Sequence, residues 1–278
     1  MRKAVFHTHC SYCDGRAPME EFVVRSISAG FSAYGISSHA PIEGMKWTVD
    51  KADMDDYLNE FRRLKQKYAA DLELYVGLEA DYLDEELNPA TDYIRSLPLD
   101  YIIGSVHLLR TPSGEVVDTD TGIENFTRLL NTCFGGDLWF MVEEYFKASE
   151  RMVRLGGFDF IGHMDKISYN ASLIDEDLVF SDRYRKLFDN YIALIAESGL
   201  MVEVNTKSFL KRGIFYPHVR HFPSLHELGI PVVVNSDAHA PDLIEVGIKE
   251  ALAGLKAAGY DSVRQLVCGK WEDIAIEI

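Results

Sequence analysis

The chain is poor in cysteine and in cationic side chains, and it has no long apolar run. Its 278 residues include four cysteines, Cys10, Cys13, Cys133 and Cys268. That is too few for a disulfide framework at this size, so reduced thiols are expected. No stretch reaches the roughly eighteen uninterrupted apolar residues that a membrane-spanning helix needs. The opening MRKAVFHTH also lacks the apolar core of a secretory signal. A cytoplasmic protein without a membrane partner is the expectation. Lys and Arg total 28 against 44 Asp and Glu, a formal net charge of -16. A field of that sign repels a phosphate backbone, which argues against nucleic-acid partners and leaves room for bound divalent cations. There is no internal repeat, low-complexity tract or flexible linker, so residues 1–278 read as a single domain.

A hydrophobic fraction of 47% is ample for a buried core. Seven short apolar runs punctuate the chain: KAVFHTH, AYGISSH, ELYVGLEA, DYIIGSVH, FDFIGH, LMVEVNT and PVVVNSDAH. Most are continuous rather than alternating, as in strands buried on both faces by helices. Between them lie helical patterns such as MEEFVVRSISAG, ADMDDYLNEFRRLKQKYAA, YRKLFDNYIALIAESG and DLIEVGIKEALAGLKAAG. This alternation predicts an α/β fold with a parallel sheet. Residues 108–122 read as a polar loop or small hairpin, and residues 131–156 as a helical insertion.

Ligand-type residues gather at the C-terminal ends of these runs. His7 and His9, His39, Glu79, His107, His163, and Asp237 with His239 close six of the seven, while the LMVEVNT run contributes polar side chains instead. In parallel βα architectures those ends meet at one face, where active sites lie. The H-x-H of the first run puts both imidazoles on one strand face, as a metal requires. Any one of these residues alone is commonplace: a strand-end histidine is usually a hydrogen-bonded structural group, and Asp237 could cap a helix. Their recurrence at nearly every strand end favours a metal site. The C-x-x-C of HTHCSYCDG is the rival signal, but a structural zinc site needs a second pair, and Cys133 and Cys268 stand alone. Cys10 and Cys13 therefore read as small packing residues.

The ordered set HTHCSYCDG, SSHAP, GLEADY, IIGSVH, FIGHMD, EVNT and VNSDAHAP resembles the polymerase and histidinol phosphatase (PHP) superfamily, most closely its monofunctional histidinol-phosphate phosphatases. The resemblance implies a distorted seven-stranded (βα)7 TIM-like barrel with a trinuclear centre of divalent ions, Zn, Fe or Mn. It assigns His7, His9 and Asp237 to one metal, Glu79 as a bridge to a second held by His107 and His163, and Asp14, His39 and His239 to the third. Glu79, Asp237 and His239 would be catalytic. The implied reaction is hydrolysis of a small phosphomonoester, L-histidinol phosphate, by a hydroxide shared between two metals. Lys166, Lys207 and Arg212, with Lys211 nearby, would grip phosphate, and Arg212 is favoured. Glu43 or Asp81 could attract a substrate ammonium by position and charge. The alternatives are another phosphoesterase of the superfamily, acting on phosphotyrosine or a nucleotide, and a non-catalytic metal-binding barrel.

Overall fold

The computed structural model describes residues 2–277. Eleven strands and ten α-helices follow one another among the described residues. The first half runs β1 (Ala4–Val5), α1 (Met19–Ser28), β2 (Ala33–Ile36), α2 (Met54–Lys67), β3 (Glu73–Asp81), α3 (Asp92–Ser96), β4 (Tyr101–Ser105), β5 (Leu108–Arg110), β6 (Val116–Asp118), α4 (Ile123–Cys133) and α5 (Leu138–Leu155). The second runs β7 (Phe160–Ile161), α6 (Ser168–Ile174), α7 (Asp182–Ser198), β8 (Met201–Asn205), α8 (Phe209–Arg212), α9 (Phe222–Glu227), β9 (Val232–Asn235), α10 (Ile248–Ala257), β10 (Ser262–Val267) and β11 (Lys270–Ala275).

The seven apolar runs supply seven strands of one sheet, in the order β1-β2-β3-β4-β7-β8-β9. Every pairing within it is parallel. A parallel bridge between Thr8 and Ala238 joins the first strand's extension to the last, nearly closing the sheet into a barrel. The long helices α5 and α7 begin at side-chain caps, Asp137 accepting from the Phe140 N–H and Ser181 from the Tyr184 N–H. Such caps satisfy amides that the first turn leaves unpaired.

The helices pack an extensive apolar layer against the outside of the sheet. A second, smaller core fills the barrel interior with Phe6, Tyr75, Tyr101, Ile103, Phe160 and Val233 among others. The barrel is therefore a packed solid below its C-terminal face.

Three local features depart from or sharpen the sequence reading. Residues 108–118 form the antiparallel hairpin β5–β6. Helix α10 starts only at Ile248, because Gly247 at φ 69° breaks the DLIEVG segment before it. The final hairpin β10–β11 has no counterpart among the expected elements. It closes the N-terminal end of the barrel, where the Trp271 ring meets Phe6 at 5.3 Å and Phe160 at 5.8 Å and its indole N–H donates to Asp159. None of the helices described is long and apolar enough to cross a membrane.

Candidate metal centre

The sheet delivers its candidate ligands to one place. His7 and His9 extend β1, His39 follows β2, Glu79 lies within β3, and His107 and His163 follow β4 and β7. Asp237 and His239 follow β9, and Asp14 comes from the turn after His9. That turn depends on Gly15, since a Cβ there would lie 2.4 Å from the His9 carbonyl group. All nine side chains are buried except those of His239 and Asp14, which border solvent; Asp14 is the most open, with its side chain 37% exposed.

Glu79 is the hub. Its Oε2 is 3.0 Å from His7 Nε2, 3.3 Å from His9 Nε2 and 3.1 Å from His39 Nδ1. Its Oε1 is 2.8 Å from His163 Nε2 and 3.6 Å from His107 Nε2. Asp237 Oδ1 is 3.2 Å from His9 Nε2 and 3.8 Å from His7 Nε2. Asp14 is 3.2 Å from His239 Nε2 and 3.8 Å from His39 Nε2. Four clusters of three or four such donors can each be drawn around a common point, and His9 belongs to two of them.

Hydrogen bonding does not account for this packing. His7 Nε2, His9 Nε2, His39 Nδ1 and Glu79 Oε2 are buried, converge within contact distance, and make no hydrogen bond to one another or to anything else. Buried polar atoms are normally paired, and the usual exceptions are groups that hold an ion or water. Mixed imidazole and carboxylate donors suit divalent transition metals. The donor set thus fits divalent cations.

The charge state follows from opposing effects. Burial lowers the affinity of His7 for a proton, but Glu203, Glu79 and Asp237 outweigh it and raise its pKa to about 10. Burial is likewise outweighed at His107, where Asp81 and Glu79 lift the pKa to about 9. At His239, burial and the Lys207 ammonium lower it to about 4. Burial pushes Glu79 and Asp237 up, yet neighbouring cationic groups hold both well below the usual carboxylate range.

Several contributors go beyond the expected ligands. Asp81, expected at the mouth, is buried and bound to His107, accepting from its backbone N–H at 2.8 Å and lying 3.0 Å from its Nδ1. Both of its oxygens thus serve His107. Alternation puts Asp81 on the same strand face as Glu79, a signal that was present in the sequence. Trp47 lays its ring edge-on to His39 at 4.7 Å and His107 at 5.6 Å. Glu43 is exposed on the wall of a cavity of about 870 Å³, bounded by the loop after β2, whose lining also includes Asp81.

The basic candidates separate. Lys207 Nζ lies 3.4 Å from both Asp237 Oδ1 and His239 Nε2. Lys166 is buried, 3.0 Å from Asp120 of the segment after β6. Both line a cavity of about 340 Å³ together with Lys211, Asp120, Tyr169 and Tyr216. Arg212 is outside that lining. Its guanidinium donates to the Tyr169 carbonyl and stacks over the Tyr169 ring. The short helix α8 turns Lys211, rather than Arg212, toward the cavity.

A near-closed parallel barrel with an imidazole and carboxylate cluster at its C-terminal face defines a metal-site α/β barrel of the TIM type. The PHP domain model matches residues 5–207, and the chain belongs to that family. A Deinococcus radiodurans protein named "Probable histidinol-phosphatase" is 25% identical over 262 residues, covering 92% of this chain and 94% of that protein. The Bacillus subtilis histidinol-phosphatase is 25% identical over 257 residues, covering 86% of this chain and 94% of its own. The structure of histidinol phosphate phosphatase from Lactococcus lactis, complexed with zinc, L-histidinol and phosphate, superposes with a TM-score of 0.72 at 17% identity, covering 98% of this chain and 99% of that one. This last likeness establishes the shared barrel fold.

Proposed function

We propose that the chain is a metal-dependent phosphomonoesterase that hydrolyses L-histidinol phosphate to L-histidinol and phosphate. The observation that carries this reading is the convergence on Glu79 of buried ring nitrogens that have no hydrogen-bond partner. The curated relatives named as histidinol-phosphatases supply the substrate. The centre would hold three divalent ions, drawn from Zn, Fe and Mn: one on His7, His9 and Asp237, a second on His107 and His163 with Glu79 between them, and a third on Asp14, His39 and His239. Single-domain organisation over 1–278 and a cytoplasmic setting fit the unpaired cysteines and the long coverage of the relatives.

Bound cations supply Lewis-acid polarisation of phosphoryl oxygens and of water. The chain's own residues do the rest. Glu79 and Asp237, held ionised, keep acceptor charge at the floor of the site. The cavity beside them offers the Lys207 and Lys166 ammonium groups to phosphate oxygens, as point charges rather than bidentate forks. An incoming phosphate competes with Asp120 for Lys166. The 340 Å³ volume suits a small ester better than a phosphotyrosine on a protein surface.

A substrate panel tests this. Purified protein should release phosphate from L-histidinol phosphate faster than from phosphotyrosine peptides or nucleotides. Chelation should abolish turnover, and Zn, Mn or Fe should restore it. Preference for a nucleotide or a phosphopeptide would replace the substrate while keeping the chemistry.

A further inference from the structure

Glu203 is in none of the candidate ligand clusters, yet it touches or supports the strand ends that carry three of the ligands. It lies in β8, fully buried. An ionised carboxylate in such a place is costly unless its lone pairs are satisfied. Here they are. Its Oε1 is 2.7 Å from His7 Nδ1 and accepts from Asn235 Nδ2 at 2.9 Å. Its Oε2 accepts from the His163 backbone N–H at 2.8 Å and from Asn205 Nδ2 at 2.9 Å.

The partners extend the network. Asn205 Nδ2 also donates to Asp237 Oδ2 at 3.1 Å. Asn235 Oδ1 accepts from the Phe6 N–H at 2.6 Å, beside His7. His163 and Asp237 both have left-handed backbone, at φ 23° and 47°. Such conformations cost roughly 1–3 kcal/mol each and persist only when the surroundings hold them. Glu203 holds the first directly and the second through Asn205.

We propose that Glu203 is the positioning residue of the centre: it keeps a proton on His7 Nδ1, leaving Nε2, which faces Glu79 and Asp237, to hold a cation, and it pins His163 and Asp237 in their left-handed geometry. The other three contacts of Glu203 are N–H donors, so its oxygens act as acceptors and the ring must bring the proton. A metal-ligating histidine commonly donates its second nitrogen to a carboxylate, and loss of such a partner typically costs 10–100-fold in metal affinity. Both the bare Nε2 and the consequence for metal rest on reading His7 as a ligand, since without a cation the ionised carboxylates beside Nε2 favour a second proton there.

Two measurements on the full chain test the assignment. With ¹⁵N-labelled histidine, the NMR spectrum of the zinc-loaded wild type should show His7 protonated at Nδ1 and unprotonated at Nε2. Competition against a chromophoric chelator should show Glu203→Gln binding zinc about 10–100-fold more weakly while still unfolding cooperatively. A zinc-loaded wild-type His7 carrying its proton on Nε2, or a folded Glu203→Gln with unchanged zinc affinity and ring signals, would overturn the proposal. Should that variant fail to fold, the wild-type spectrum decides alone. Neither readout involves turnover, so a protein that fails as a phosphatase but shows the expected tautomer separates this proposal from the functional reading.

Discussion

Cys13 Sγ lies 3.6 Å from Nδ1 of His9, on the side of the ring opposite the carboxylates of Glu79 and Asp237. The second cysteine of C-x-x-C therefore contacts a candidate ligand, whereas Cys10 is fully buried beside Ser38 as a packing residue. Replacing Cys13 with Ala should leave the turn intact, because its backbone N–H still donates to the Cys10 carbonyl. Zinc affinity should fall by about tenfold at most, far less than in His9→Ala, as measured by chelator competition.

Asp81 should matter more than its absence from the ligand set implies. It is the partner of His107 Nδ1, so Asp81→Asn removes the charge that orients the ring. The expected result is a loss of roughly 10–100-fold in metal affinity with the circular dichroism spectrum unchanged. Unchanged affinity would show that His107 orients itself.

The lysines and Arg212 should part in steady-state kinetics. Hydrogen bonds to charged groups contribute about 1.5–3 kcal/mol, so Lys207→Ala or Lys166→Ala should raise KM for L-histidinol phosphate by roughly tenfold or more. Arg212→Ala should stay within about twofold, since that guanidinium is engaged with Tyr169 and does not line the cavity. A larger effect at Arg212 would restore it as the phosphate grip.

His221 links stability to pH at a distance from the centre. Its ring is buried and stacked on Phe188 at 3.8 Å between centroids, with Nε2 unpartnered. Burial, aided by Arg220 and His218, lowers its pKa from 6.5 to about 3. The folded pKa lies below the unfolded one, so between about pH 6.5 and pH 3 the unfolded chain binds the extra proton and stability drops as the pH is lowered. In urea unfolding, the wild type should lose more stability between pH 7.5 and pH 5 than His221→Phe. Equal losses would place the ring in a solvated setting.

Much of this was legible in the sequence, for definite reasons. The strands are continuous apolar runs that stop at ligand-type residues, and PVVVNSDAH carries both signals. Period-two alternation fixes His7 with His9 and Glu79 with Asp81 on shared faces, yet it does not say which acids are buried. The hairpin β10–β11 was hidden because SVRQLV and KWEDIA are half polar, covering the barrel end mainly through Trp271. The Cys13 contact depends on a turn, and the Lys211 and Arg212 exchange on the rotation of one short helix. Neither leaves a period in the sequence.

The most direct test of the metal-dependent hydrolase is a loading titration. Bound divalent metal per chain and phosphate release from L-histidinol phosphate are measured on the same samples, from chelated apoprotein to saturation. Turnover should appear and grow as the clusters fill, reaching its maximum near the three ions per chain of the proposed centre, and the same titration on Glu79→Gln should yield little of either. A chain that fills with metal and releases no phosphate, or one that turns over fully without metal, would contradict the account.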